Sequence, residues 1–174
     1  MIKEQFRTYL QEYQFDCGAG AAGTVILNFE GKRINHDLLM RKLIVRRNGT
    51  EPENLAFFFK RRGYEVFSKE NSTLNELRAE SARGKLSIVL YQGSGTKREI
   101  TNQKGGHYSV VAHMSKRYIY LLDSGVDKDY GDGIGWQILP IPVFRARWVD
   151  SWPDNGKEVC FERWRVSLKP KATE

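Results

Sequence analysis

Hydrophobic positions change their spacing about halfway along the chain. Residues 17–29 carry alanines, then Val25, Ile26 and Leu27, with Gly18, Gly20 and Gly23 interspersed, and read as an apolar helix. Each internal glycine costs a helix about 1 kcal/mol against alanine, so the three together predict a central, buried helix closely approached by other backbone. A second helix follows Asn35, with Leu38, Leu39, Leu43 and Ile44 on its apolar side, and ends near Asn48-Gly49. A third starts at Thr50-Glu51-Pro52-Glu53, which has the Thr-x-x-Glu spacing of a capping box. Leu55, Phe58 and Phe59 follow at helical spacing, and Gly63 supplies the stop. Residues 64–67 read as a short strand. Thr73 and Glu76 repeat the capping spacing and open a fourth helix, with Leu74 and Leu77 apolar and Gly84 near its end.

Beyond Gly84 the period shortens. Residues 86–91 are β-rich, and 92–106 form a loop of glycine, lysine and serine that is either a flap over a cleft or a long hairpin connection. Residues 107–114 and 118–122 are strands on either side of Ser115-Lys116-Arg117, a spacing that predicts an antiparallel pair. Residues 123–135 are glycine- and aspartate-rich loop, 143–148 a short helix, and 159–168 an alternating strand. Helices first and strands second define an α+β fold, a helical half packed on an antiparallel sheet. A length of 174 residues matches one domain, 1–174, with chain enough to bury a core.

Composition narrows the class. With 40% hydrophobic and 28% charged residues the chain is globular rather than disordered, and no apolar run approaches the roughly 20 residues of a membrane span. The N-terminal residues lack the apolar core of a secretory signal, which predicts a cytoplasmic protein. In that compartment Cys17 and Cys160 are expected as reduced thiols. Only His36, His107 and His113 are available beside them, without the spacing of a zinc site, so neither metal nor cofactor is expected. The net charge of +7 invites a nucleic-acid reading, but the basic residues are scattered, as at Arg41-Lys42, Lys60-Arg61-Arg62 and Arg145/Arg147. Most fall at the ends of apparent helices, where cations offset the dipole, so a solvated surface is the stronger reading. An acidic peptide or an anionic membrane surface stays open as a partner.

Cys17 is the residue that suggests chemistry. A thiol at a helix N-terminus faces unpaired backbone N–H groups and the positive end of the dipole, both of which favour the thiolate. If residues 107–114 and 118–122 pair, His107 at the start of one strand and Asp123 at the end of the next meet at one end of the sheet. Cys17 would then attack a carbonyl, His107 would move the proton, and Asp123 would orient the imidazole. Gln11 supplies a side-chain amide to join the Cys17 N–H at an oxyanion. His113 is a rival base, facing the same side by period two, and Gln14 a rival donor. Taken singly, each has an ordinary reading: Cys17 as a small buried hydrophobe, Asp123 as a turn residue, Gln11 as surface. Cys160 reads as core packing, and Trp136, Trp148, Trp152 and Trp164 either line a peptide groove or pack the C-terminal segment.

Those residues carry a resemblance. The elements Gln11, Asp16-Cys17-Gly18, Gly106-His107 followed by Tyr108-Ser109-Val110-Val111, and Asp123 after Leu121-Leu122 resemble the bacteriocin-processing, or double-glycine, peptidase family of papain-like cysteine peptidases. The similarity spans residues 9–150. It implies a papain-like fold, a Cys17-His107-Asp123 triad with Gln11, and cleavage after Gly-Gly in a leader peptide through a thioester. The chain departs from the family pattern at Gly20, where a larger residue is usual, and at Ser124, where proline usually follows the Asp. Acyl transfer or deamidation by the same triad, a silent peptide-binding module, and a basic nucleic-acid binder are the alternatives.

Overall fold

The structure, a computed structural model, describes residues 2–93, 106–129, 131–154 and 157–171. After a 3-10 turn at Ile2–Glu4 come α1 (Cys17–Glu30), α2 (His36–Lys42), α3 (Pro52–Arg61), β1 (Tyr64–Lys69) and α4 (Leu74–Ala82). The second half runs β2 (Leu86–Gln92), β3 (Gly106–Met114), β4 (Tyr118–Leu122), β5 (Trp136–Pro140), α5 (Ile141–Arg147), β6 (Val149–Asp154), β7 (Lys157–Glu162) and β8 (Arg165–Pro170). Among the described residues the strands form one antiparallel sheet in the order β1-β8-β2-β3-β4-β5 and a separate β6-β7 hairpin.

The sheet is covered on both faces. Ile88 and Leu90 of β2 join α1, α2 and α3 residues such as Val25, Leu39 and Phe59 in one core. Val89 and Tyr91 of the same strand pack with Leu77 of α4 and with Phe144 and Trp148 in the other. β2 is therefore buried at every position, which is why its sequence is a continuous apolar run. The capping box at Thr73 forms in both directions, Thr73 Oγ1 accepting from Glu76 N–H and the Glu76 carboxylate from Thr73 N–H. Arg41, Lys42, Lys60, Arg61, Arg145 and Arg147 do lie in last helical turns.

Several expectations are corrected. Thr50 does not cap α3; Glu51 stands at the N-cap with Pro52 behind it, and Thr50 is buried against α1 instead. α2 ends at Lys42, well short of Asn48-Gly49, and Ile44 leaves the helix with φ 53° and is exposed. The 159–168 strand is two strands in two sheets, broken at Arg163 with φ 48°. β5 falls between the loop expected over 123–135 and the helix expected over 143–148, in a stretch to which the sequence assigns no element. Cys160 is exposed on β7 rather than packed in the core. The glycines of α1 do admit close neighbours, but these are side chains, not backbone: a Cβ at Gly18 would overlap Thr50, and one at Gly23 would overlap the Tyr9 ring. Residues 94–105, and with them the flap question, lie outside the described residues.

Candidate active site

Cys17 is the first residue of α1 and is buried. Asp16 holds the N-cap position, yet its side chain makes no bond to the helix. Its Oδ2 instead accepts the backbone N–H of Glu12 at 3.2 Å and of Tyr13 at 3.1 Å, and meets His36 Nε2 at 2.6 Å. This ties the turn carrying Gln11 onto α2, and the Asp16 side chain caps none of the first N–H groups of α1. Those N–H groups and the dipole behind them favour negative charge at Cys17.

On the sheet, His107 is the second residue of β3 and pairs across to Tyr91 of β2. Its Nε2 lies 2.7 Å from Asp123 Oδ1, which leaves Nδ1 for the Cys17 thiol. Asp123 follows β4 and is buried; Oδ1 also accepts the Gly125 N–H at 2.9 Å, and Oδ2 accepts the Tyr91 hydroxyl at 3.0 Å. The Tyr91 oxygen is in turn 2.6 Å from Gln137 Oε1 and 3.3 Å from Ser109 Oγ.

The charges follow from these contacts. Burial alone would pull the His107 imidazole down, but the charge and hydrogen bond of Asp123, and then those of Cys17, carry it up from 6.5 to about 10. Burial pushes Asp123 up, and the His107 charge and bond, the Gly125 N–H and the Tyr91 hydroxyl together hold it below the usual carboxylate range. Burial, with the Asp123 charge, keeps Tyr91 neutral, well above its ordinary value. The arrangement favours an imidazolium held between the Cys17 sulfur and the Asp123 carboxylate.

Gln11 stands beside this series. Its N–H donates to Ser124 O at 3.0 Å, its Oε1 accepts the Ser124 hydroxyl at 3.0 Å, and its Nε2 donates to Tyr13 O at 2.7 Å. The amide nitrogen keeps a second N–H for another acceptor. A Cβ built on Gly125 would stand 3.3 Å from Gln11 Oε1, 3.3 Å from His107 Cε1 and 3.4 Å from Asp123 Oδ1. Three side chains distant in sequence thus converge over one glycine. A cleft of about 170 Å³ opens beside Cys17, bordered by Phe15, Thr50, Leu90, Tyr108 and Asp150.

The rival candidates fall away from this site. The β-bulge between Val111 and His113 reverses the alternation of β3, so His113 lies on the opposite face from the one period two predicts, against the ring of Tyr120 at 5.5 Å. Gln14 is exposed at the cleft mouth. Trp136, Trp148 and Trp164 are buried, and Trp148 Nε1 donates to Trp164 O at 3.0 Å, so these three pack the fold; the Trp152 side chain lies outside the described residues. Tyr91, Ser124, His36 and Asp150 are contributors that sequence reasoning missed. Tyr91 sits in an apolar β run and Asp150 between aromatic residues, and neither polar residue carries a spacing signal there. Among the described residues no group of His, Cys, Asp and Glu is arranged to hold a metal ion.

A helical half whose central helix opens on a cysteine, facing an antiparallel sheet that presents histidine and aspartate, is the architecture of papain-like cysteine peptidases. The sequence profile of the peptidase C39 family matches residues 5–131, and the chain belongs to that family. No individually curated protein matches it. Among solved structures, the peptidase domain of Streptococcus ComA, a bi-functional ABC transporter involved in quorum sensing, aligns with a TM-score of 0.68 at 17% identity, over 95% of this chain and 99% of that one. A C39-like peptidase from Bacillus anthracis aligns with a TM-score of 0.68 at 12% identity, over 97% and 95%. A double-glycine-motif protease from an AMS/PCAT transporter, solved with its leader peptide, gives 0.60 at 16%, over 95% and 92%. At these identities the likeness is one of fold. No helix among the described residues is long and apolar enough to cross a membrane.

Proposed function

We propose that this cysteine peptidase hydrolyses a peptide bond after Gly-Gly in a leader or protein substrate, through a thioester acyl-enzyme. In the thiolate–imidazolium pair the Cys17 proton already rests on His107 Nδ1, and the Sγ thiolate attacks the scissile carbonyl carbon. The tetrahedral oxyanion is held by the Cys17 backbone N–H and the second N–H of Gln11 Nε2. Collapse breaks the C–N bond, and the His107 proton goes to the leaving amine. A water molecule, deprotonated by the now neutral His107, then attacks the thioester; the C–S bond breaks, releasing the acid and restoring the thiolate–imidazolium pair. Asp123 fixes the imidazole with Nδ1 toward sulfur and stabilises its charge. The observation that carries the reading is the continuous series Cys17, His107 and Asp123, with the last pair 2.7 Å apart. The Gly-Gly preference rests on family membership and on the leader-peptide complex of the double-glycine protease.

The test is incubation with a synthetic leader peptide containing Gly-Gly, analysed by mass spectrometry. The expected product ends at the second glycine and is absent with Cys17→Ala. Cleavage elsewhere would remove the Gly-Gly assignment, and cleavage unaffected by Cys17→Ala would remove the nucleophile.

A further inference from the structure

One wall of the cleft beside Cys17 is not used by the peptidase chemistry. Asp150 comes from β6, beyond the 5–131 segment that carries the family match, yet its side chain borders the same 170 Å³ cleft as Cys17. It is only 3% exposed. Gln92 Nε2 donates to its Oδ1 at 2.8 Å, and the Ser151 backbone N–H also bonds it. The carboxylate lies over Gly106, where any Cβ would overlap it. Gln92 and Gly106 are cross-strand partners next to the Tyr91–His107 pair, so the carboxylate is fixed one residue from the base.

A buried carboxylate with only neutral donors lacks compensation for its charge. Among the described residues no Lys or Arg forms an ion pair with Asp150, and Arg47, which also borders the cleft, forms none with it. Burial pushes the carboxyl up to about 6, with the Ser151 N–H and the Gln92 amide pulling it back, so at pH 7.5 it is ionised. A purely structural anchor for the β6–β7 hairpin needs only an oxygen to accept from Gln92 and the Ser151 N–H, and a neutral amide also supplies one.

Resting on the reading of Cys17 as nucleophile, we propose that Asp150 is a specificity-determining residue that takes a lysine or arginine side chain of the substrate at a position flanking the scissile bond. The chain thereby selects a basic residue beside the cut. Its ammonium or guanidinium would meet the carboxylate in a water-poor pocket, where a charge-assisted hydrogen bond discriminates strongly against an isosteric neutral side chain.

The probes are short glycine peptides carrying arginine, norleucine or glutamate at each position in turn, ending in a chloromethyl ketone or beginning with a chloroacetyl group so that both sides of the cut are scanned. The readout is the rate of Cys17 labelling by intact mass, with the exposed Cys160 as internal reference. At one position arginine is expected to label at least about tenfold faster than norleucine, the size of one hydrogen bond to a charged group, and glutamate slowest. Asp150→Asn keeps the shape and the Gln92 bond but is expected to bring the arginine-to-norleucine ratio near one. Equal rates in the wild type at every position overturn the subsite and leave the nucleophile standing, and this result needs no variant to fold. A preference that survives Asp150→Asn also overturns it. Labelling of Cys160 alone by all the peptide probes overturns both the subsite and the nucleophile.

Discussion

A Cβ on Gly20 would overlap both the Cβ and the Oγ of Ser124. The two positions are therefore packed as one feature: the missing side chain on α1 leaves the space that the Ser124 side chain fills. Gly20→Ala is expected to lower stability by about 1–3 kcal/mol through overpacking, even though alanine is the better helix former. Adding Ser124→Gly should recover much of that loss. Urea denaturation of the two single variants and the double variant checks the coupling, and additive losses would contradict it.

The serine also orients the proposed oxyanion donor. Its hydroxyl donates to Gln11 Oε1, which turns the amide nitrogen away from Ser124. Gln11→Ala is expected to lower kcat by about 10²–10³-fold, as for loss of an oxyanion donor. Ser124→Ala should lower it less, and combined with Gln11→Ala should add nothing. Steady-state kinetics on a cleaved peptide decide this, a further drop in the double variant being the contrary result.

The Asp16–His36 pair anchors the turn that carries Gln11. Removing the carboxylate leaves the Glu12 and Tyr13 N–H groups and the buried His36 without their acceptor. Asp16→Ala is expected to cost about 3 kcal/mol or more of stability. Chemical denaturation measures it, and a loss near zero would show that the turn is held by other contacts.

Stability should depend on pH through the His107–Asp123 pair. His107 is raised to about 10 in the folded protein, so its stabilisation is complete below its unfolded value near 6.5 and is lost as pH rises through about 10, since the unfolded chain releases the proton first. Asp123 is lowered, so its share is present above its unfolded value and lost as pH falls through its folded one. The wild-type Tm should therefore fall between pH 7 and 10 more steeply than that of His107→Ala. Parallel pH profiles would contradict the pairing.

How far the sequence could be read follows from where its signals are local. Cys17 before a small-residue helix, the Thr73 capping box and the paired strands 107–114 and 118–122 are written in neighbouring residues, and the structure has all three. The juxtaposition of His107 and Asp123 followed from strand pairing alone. What escaped depends on contacts between distant segments. Thr50 has the spacing of a cap but is drawn under α1 by the space at Gly18. The 159–168 run alternates evenly, and only the left-handed Arg163 sends its halves to different sheets. The bulge that turns His113 away, and the β6 strand that delivers Asp150 to the cleft, likewise have no signature in their own residues.

The most direct test of the account is the rate of Cys17 alkylation by iodoacetamide at pH 6, read by intact mass in the wild type and in His107→Ala, with Cys160 as internal reference. A thiolate–imidazolium pair predicts that Cys17 reacts at least about tenfold faster than Cys160 and loses that advantage in the variant. Equal reactivity of the two cysteines, or a Cys17 rate indifferent to His107, would contradict it.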